Sequence, residues 1–396
     1  MSPRGPAVDD RPPAGLSHER IYRVMSGEAR DGKARLLRSL TRLATPAYRA
    51  AVTGRNSLYT AGVLPAAPLG RPTISVGNLT AGGTGKTPMV IALARRLTDM
   101  GHRPAVLLRG YDPGRADAGE QSDEATELRA ALGPAVPVMP NRDRVEGAKQ
   151  VLANQPEVSA FLLDDGFQHR RAARDLNLVL IDALRPFGYG YMLPRGLLRE
   201  PPTALRRADA VILTRVNRAT PEALAHLRQQ IAQLTGRAPV AEAEHDWSGL
   251  RLEHDQLPLD HLADRPVLGV AGIGNPRDFE ARLKEVAPRC VGCLSYDDHH
   301  RYTAAELQTI EATARQRGAN ALVITEKDFV KWPTHPTPTA ALPVYRPAVE
   351  MAFRMGEAEL ISLMAEAVGP SPRKPADDTP PHPPADAPGE STGPTA

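Results

Sequence analysis

The sequence predicts an α/β fold, a doubly wound parallel sheet joined to a second, smaller α/β domain, and three observations carry that prediction. Short apolar runs at 73–76, 105–108, 160–163, 178–181 and 211–213 alternate with helical patterns such as 88–100, as parallel strands with crossover helices require. The first run leads into a glycine-rich turn and then a helix. A later run, FLLDD, ends in paired carboxylates, Asp164 and Asp165.

A chain of 396 residues has room for two domains at roughly 150 residues each. Strand patterns near 267–270 and 322–324 place a second α/β segment after a polar stretch at 215–250. The expected division is a disordered tail at 1–24, a basic amphipathic segment at 25–60 and a nucleotide-binding core at 61–225. A smaller domain follows at 226–345, then a helix at 346–368 and a Pro-rich tail at 369–396 that lacks the apolar residues for a core. Aromatic residues make up only 4% of the chain, so Leu, Val, Ala and Ile must fill the cores.

A net charge of +3 gives no argument for a nucleic-acid partner, and none is expected. The distribution says more. Residues 32–98 hold no Asp or Glu but ten Lys and Arg, a one-signed surface suited to anionic lipid or phosphate. Within it, 34–52 reads as a helix with Leu36, Leu37, Leu40, Leu43, Ala44 and Ala47 on one stripe, Arg35, Arg38, Arg42 and Arg49 on other faces, and Pro46 as a break or kink. Such a stripe fits a membrane interface and fits core packing equally well. Two cysteines cannot build a disulfide framework, no secretory h-region opens the chain, and no apolar run reaches the ~20 residues of a bilayer span. The expected location is the cytoplasm or the cytoplasmic face of a membrane.

The chemistry lies in TISVGNLTAGGTGKTP. A strand, a turn holding Gly82, Gly83 and Gly85, and a helix starting near Lys86 form a phosphate loop, whose backbone N–H groups and helix N-terminus face phosphate oxygens. Thr80, Ala81, Gly82, Gly83, Thr84, Gly85, Lys86 and Thr87 are its candidate nucleotide contacts. Lys86 would reach the β- and γ-phosphates, and the Thr87 hydroxyl would ligate Mg²⁺. Thr80 stands where the usual pattern has glycine. The sheet is therefore P-loop NTPase-like. Asp164 and Asp165, at a strand's carboxyl end, are candidate Mg²⁺ ligands, with the choice between them open.

With these pieces the chain resembles the tetraacyldisaccharide 4′-kinase family, the lipid A 4′-kinases. The resemblance spans about 25–368 and rests on VGNLTAGGTGKTP (76–88), LRGY (108–111), SDE (122–124), LLDDGFQHRRAARD (162–175), LPRGLLREP (193–201), GIGNP (272–276), DDHHRYT (297–303) and TEKD (325–328). It departs at Asp112-Pro113, where the family commonly has two glycines, and at Arg195 and Leu197. The resemblance implies transfer of the ATP γ-phosphate, with Mg²⁺, to the 4′-hydroxyl of an acylated glucosamine disaccharide 1-phosphate in lipid A biosynthesis. It also implies a second domain that closes over the nucleotide and peripheral attachment to the cytoplasmic face of the inner membrane. Asp123 becomes the expected base, Glu124 a metal-side carboxylate, and His299 (with His300 the other choice) the support for the base. Arg109, Gln168, His169, Arg171 and Arg199 are possible substrate contacts.

Two other readings of the residues compete. A GTPase would need a guanine-reading N/T-K-x-D; TEKD comes close but follows a strand of the second domain. A non-catalytic membrane scaffold would not need Lys86, Thr87 and Asp165 together. The C-x-x-C at Cys290 and Cys293 is read as two small core residues rather than a redox pair or half of a zinc site.

Overall fold

Strand β1 (Thr73–Asn78) is buried at every position, as are β2 (Pro104–Leu108), β4 (Ala160–Asp164), β5 (Leu176–Asp182) and β6 (Ala210–Thr214). Residues hidden on both faces give continuous apolar runs, which is why these strands were legible. In the computed structural model, which describes residues 23–110, 123–253, 255–273, 276–297, 300–332 and 342–371, they pair in parallel. With β3 (Val138–Pro140) and β7 (Ala241–Leu252) the order is β3-β2-β4-β1-β5-β6-β7. Helix α1 (Gly32–Thr60) precedes this sheet.

Helix α2 (Lys86–Asp99) lies on one face of the sheet, burying Met89, Val90, Leu93, Ala94 and Leu97 at helical spacing. Helix α3 (Asp123–Leu132) adds Ala125 and Leu128 to the same core. The other face is covered by α4 (Arg144–Asn154), through Ala148 and Val151, and by α5 (Pro221–Thr235), through Leu227 and Ile231. Each buried Leu, Ile, Val or Met among them contributes about 1.5–3 kcal/mol on burial, so the apolar stripe of α2 alone fixes the helix that begins at the phosphate loop.

The second lobe has β9 (Val267–Ala271) between β10 (Cys290–Ser295) and β11 (Ala321–Ile324), all parallel. Phe279 and Leu283 of α6 (Pro276–Val286) cover one face; Ile310 and Ala314 of α7 (Ala304–Gln316) cover the other. The short α8 (Glu326–Phe329) follows β11. Cys290 and Cys293 are free, half-buried, and packed against the α6 core.

One sheet runs through both lobes. β7 pairs in parallel with β6 at Ala241 and Glu242, and along most of its length with antiparallel β12 (Val344–Met355), whose first residues pair with β11. The short β8 (Asp255–Leu257) flanks β7. The sequence conceals β7 because Glu242 and Glu244 are buried in it, made tolerable by ion pairs to Arg228 and Arg354. Residues 346–355, expected as the start of a helix, belong instead to β12; only α9 (Glu357–Val368) is helical, and it returns to the first lobe, where Leu360, Met364 and Val368 join the α2 core.

Helix α1 continues through Pro46 without a break in its assignment. Its second half docks on the first lobe: Tyr48 and Val52 meet the α5-side core, Arg55 donates to the Gln168 carbonyl and Asn56 to Glu200. Its first half does not pack its leucines. Leu36, Leu40 and Leu43 are 62%, 56% and 78% exposed. Among the described residues no helix is long and apolar enough to cross a membrane.

Candidate active site

The loop between β1 and α2 takes its shape from two left-handed glycines, Gly82 (φ 116°) and Gly85 (φ 87°). Thr80 needs no positive φ. It is extended, forms a bridge with Leu198, and its carbonyl accepts from Asn78 Nδ2 at 2.9 Å. That is why a threonine is tolerated at the usual glycine position. Ala81 N–H donates to Leu197 O at 2.7 Å and Arg199 N–H to Leu79 O at 2.8 Å, so segment 191–199 is stitched to the loop. Arg195 points elsewhere, to the Met25 carbonyl and the Tyr191 ring.

Lys86 opens α2. Its Nζ donates to Asn78 Oδ1 at 3.3 Å and lies 3.5 Å from Asp165 Oδ1. Asp165, left-handed at φ 52°, also accepts Arg199 Nη1 at 2.9 and 2.7 Å. Burial opposes ionisation of Asp165, but the Lys86 and Arg199 charges overcome it and hold the carboxyl below its usual range. Asp164, at the end of β4, goes the other way. Burial pushes it up to about 6, Asp165 and Glu124 add to the rise, and Lys86 offsets part of it. Its Oδ1 is buried with no hydrogen-bond partner.

These residues line a cleft of about 1420 Å³ between the lobes. Every residue from Thr80 to Thr87 faces it, as do Arg109, Glu124, Asp164, Asp165 and Arg199; Thr325, Glu326 and Lys327 contribute from the second lobe. Gln168, His169 and Arg171 do not line it. Gln168 donates to Asn78 O at 2.8 Å and accepts Arg199 at 3.3 Å, which places it behind the loop. Arg171 pairs with Asp143 at 2.7 Å. Burial and the neighbouring Arg144 depress His169 to about 4. Asp123 begins α3, but its side chain lies outside the described residues, as do His299 and Asp112-Pro113. His300 is engaged structurally: it stacks on Tyr296 and meets Glu306, which closes a capping box with Thr303 at the start of α7.

Several cleft residues escaped the sequence reading. Glu127 follows Glu124 by three positions on α3, a spacing that could have flagged it; burial drives it to about 7, and Lys327 offsets part of the rise. Arg215, after β6, donates to Asp182 at 2.6 Å and to the Gly83 carbonyl at 2.8 Å, and approaches Asp278 of α6 at 3.7 Å. Arg218 also meets Asp278, at 3.1 Å, so a charged cluster ties the loop to the second lobe. His245 of β7 presses on the loop itself, since a Cβ on Gly85 would stand 1.9 Å from its Nε2. Burial and then Arg215 lower His245 to about 3, leaving a neutral ring. Within TEKD, Asp328 is structural: buried, it accepts the Gly272 N–H at 2.9 Å and the Thr325 hydroxyl at 2.6 Å.

The Asp164 oxygen without a partner, the adjacent carboxylates and the Thr87 hydroxyl form a hard-oxygen donor set that fits Mg²⁺. No cluster of three or more His, Cys, Asp or Glu able to enclose a metal occurs among the described residues. Such a site suits a cation that takes its remaining ligands from phosphate and water.

A glycine loop at the head of a helix, a lysine inside it and carboxylates at the next strand's end define a phosphate-loop nucleotide-dependent phosphotransferase. The model of the tetraacyldisaccharide-1-P 4′-kinase family matches residues 36–368, and the chain belongs to that family. The tetraacyldisaccharide 4′-kinase of Anaeromyxobacter dehalogenans strain 2CP-C is 42% identical over 303 residues, covering 73% of this chain and 80% of that one. That of Syntrophus aciditrophicus is 41% identical over 329 residues, covering 78% and 87%. Among solved structures, LpxK from Aquifex aeolicus in complex with ATP aligns over 84% of this chain and all of its own, with a TM-score of 0.66 and 28% identity.

Proposed function

We propose that this cleft moves the γ-phosphoryl group of ATP onto the 4′-hydroxyl of a tetraacyldisaccharide 1-phosphate, the 4′-kinase step of lipid A biosynthesis. The observation that carries the reading is Lys86 and Asp165 in contact at the mouth of the phosphate loop, with the partnerless oxygen of Asp164 beside them.

Phosphoryl transfer needs positioning, charge neutralisation and a proton acceptor. The backbone of Gly82–Thr87 and the N-terminus of α2 orient the phosphates. Lys86, held by Asn78 and Asp165, supplies a fixed positive charge toward them. Thr87, Asp164, Asp165 and Glu124 would hold Mg²⁺, which when bound neutralises phosphate charge. Arg199 orients Asp165, and Gln168 orients Arg199. Arg109 faces the cleft and is suited to the acceptor's anionic group. Asp123 takes the proton of the attacking hydroxyl, and His299 supports it.

The acceptor is a lipid, and α1 offers a means of reaching it. Its exposed Leu36, Leu37, Leu40 and Leu43, flanked by Arg35, Arg38, Arg42 and Arg49, suit shallow insertion into an anionic membrane surface. The enzyme would then work peripherally at the cytoplasmic face of the inner membrane.

The test is direct. Purified chain is incubated with ATP, Mg²⁺ and the acylated disaccharide 1-phosphate, and the 1,4′-bisphosphate is sought by mass spectrometry. Lys86→Ala serves as control and is expected to lose activity by ~10³-fold or more, on the scale of removing a key electrostatic group. No product from the wild type, or near-normal turnover by Lys86→Ala, would remove this function.

A further inference from the structure

Two stretches of chain without acidic residues meet beside the cleft. Residues 32–98 and 183–199 hold no Asp or Glu, and the fold sets Arg38 and Arg42 of α1 against Tyr191 and Arg195 of the second stretch. The Arg195 guanidinium carbon lies 4.5 Å from the centre of the Tyr191 ring, and that of Arg42 5.9 Å. Arg195 Nη1 donates to the Met25 carbonyl at 2.8 Å, and Arg38 Nη1 to the neighbouring Val24 carbonyl at 3.4 Å. Among the described residues none of these three arginines meets a carboxylate. Burial lowers the Arg195 guanidinium below its ordinary range; Tyr191 opposes that, and the like charges of Arg38 and Arg42 add to it. The turn that presents Tyr191 and Arg195 is closed on itself. Leu198 N–H donates to the Tyr191 carbonyl at 3.1 Å and Gly196 N–H to the Met192 carbonyl at 3.0 Å. A Cβ on Gly196 would stand 2.3 Å from the Tyr191 carbonyl, so the closure needs glycine there.

We infer that Arg38, Arg42, Arg195 and Tyr191 form a binding site for the phosphate group of a membrane lipid. Three guanidinium groups crowded together without a counter-charge favour an anion, and their planar forks match phosphate oxygens. The depth is right as well. At 100° per residue, Arg38 and Arg42 stand on the side of α1 turned away from Leu36, Leu40 and Leu43. With those leucines in the acyl boundary, a helix about 10 Å across sets its opposite side at the level of the lipid phosphates. This is more than a basic helix face, because Arg195 and Tyr191 come from a segment some 150 positions away and are held there by backbone bonds. Arg195 is also a position at which the chain departs from the family pattern, so the site is a feature of this chain. It stands at the rim of the cleft, since Met25, Leu193 and Leu197 line the cleft wall next to it. A phospholipid of the surrounding membrane and the 1-phosphate of the acceptor both present a phosphate at that level.

The full chain is tested in two arms. The first needs no activity: affinity for phosphatidylcholine vesicles with and without phosphatidylglycerol is measured by sedimentation. Wild type is compared with Arg195→Ala, Arg195→Lys and Tyr191→Leu, and with Arg49→Ala, which removes one α1 charge outside the cluster. A diffuse basic face predicts about a fivefold loss for any one arginine and no loss for Arg195→Lys or Tyr191→Leu. The site predicts a loss on the order of 10–100-fold for Arg195→Ala, a loss not rescued by lysine, and weakened binding in Tyr191→Leu although no charge has changed. ATP affinity should stay at the wild-type value in every variant, and Arg42→Lys repeats the test at an exposed side chain where folding is not at stake. The second arm rests on the proposed kinase activity and measures KM for the acylated disaccharide 1-phosphate in neutral detergent micelles. A raised KM with unchanged kcat in Arg195→Lys would name the acceptor's phosphate as the ligand; losses confined to the vesicles would name the membrane phospholipid. Equal losses in Arg195→Ala and Arg49→Ala, with Arg195→Lys and Tyr191→Leu at the wild-type level in both arms, would overturn the site. Absence of any phosphoryl transfer would strike the kinase reading instead and leave the vesicle arm to decide.

Discussion

Gly85 and His245 belong to distant parts of the chain, yet the fold makes one a condition of the other, and Gly85→Ala exposes the dependence. Gly85 has φ 87° and ψ 25°, where a side chain strains against its own backbone. That alone costs about 1–2 kcal/mol. The new methyl would also stand 1.9 Å from His245 Nε2 and 2.3 Å from Cε1, so the imidazole must move. The ring belongs to β7, which pairs with both β6 and β12, and it lies within reach of the Arg215 charge. Displacing it carries an overpacking cost of about 1–3 kcal/mol. The two terms separate in a double-mutant cycle. Gly85→Ala, His245→Ala and the double variant are compared by urea midpoint from circular dichroism and by ATP affinity from calorimetry. The single glycine variant is expected to lose about 2–5 kcal/mol in stability. The double variant should recover the steric share, a coupling of about 1–3 kcal/mol, and keep the backbone share. Wild-type stability in Gly85→Ala, or strictly additive losses, would show that His245 does not bear on the loop.

Other outcomes follow from the same geometry. Replacing Leu36, Leu40 and Leu43 with Ser should move the chain from anionic vesicles to the supernatant in a sedimentation assay, with ATP affinity unchanged; undiminished vesicle binding would exclude this helix as the anchor. Asp123→Ala and His299→Ala should each reduce kcat by ~10²-fold or more, and the double variant should be scarcely worse than the worse single one, whereas multiplied losses would mean that the two act independently. His245 and His169 titrate lower in the folded chain than their ordinary value of 6.5, at about 3 and about 4. The unfolded chain therefore binds more protons below pH 6.5, so stability falls as pH drops through that value toward 3. His245→Asn should flatten part of the decline in a urea-midpoint series from pH 7 to 4, and an unchanged slope would refute the assignment.

What the sequence made legible was whatever local chemistry determines. The phosphate loop is a continuous stretch, and its glycines, lysine and following helix are read directly; so are the apolar parallel strands and Asp164-Asp165 at the end of one. The hidden features depend on distant pairing. β7 looks polar until Arg228 and Arg354 are found beside its glutamates. Arg215, Arg218 and Asp278 carry no motif, and only folding brings their charges together. His245 is separated by 160 positions from the glycine it touches, with no periodicity to connect them. The α1 stripe was ambiguous by its nature, because the pattern of apolar residues is the same whether a core or a lipid surface covers it; what distinguishes the two is exposure, and exposure is a tertiary property.

The ribbon of β7 and β12 places a mechanical requirement on the molecule. Its lower end is claimed by β6 and its upper end by β8 and β11, so the middle is paired only within itself. There the register slips between Ala348 and Val349, opposite Gly249 and Trp247. A bulge in an antiparallel pair is a local twist and a point of easy bending. It lies beside Pro347, Ala348, Val349 and Trp247, all on the wall of the cleft. Rotation of the upper lobe would therefore act as torsion on a two-stranded shaft, with the compliance gathered at this joint and at a second register slip between Phe353 and Met355 rather than spread evenly along the strands. Because His245 is two residues from Trp247 on that shaft and rests on Gly85, the torque would be delivered to the phosphate loop as well as to the lobe.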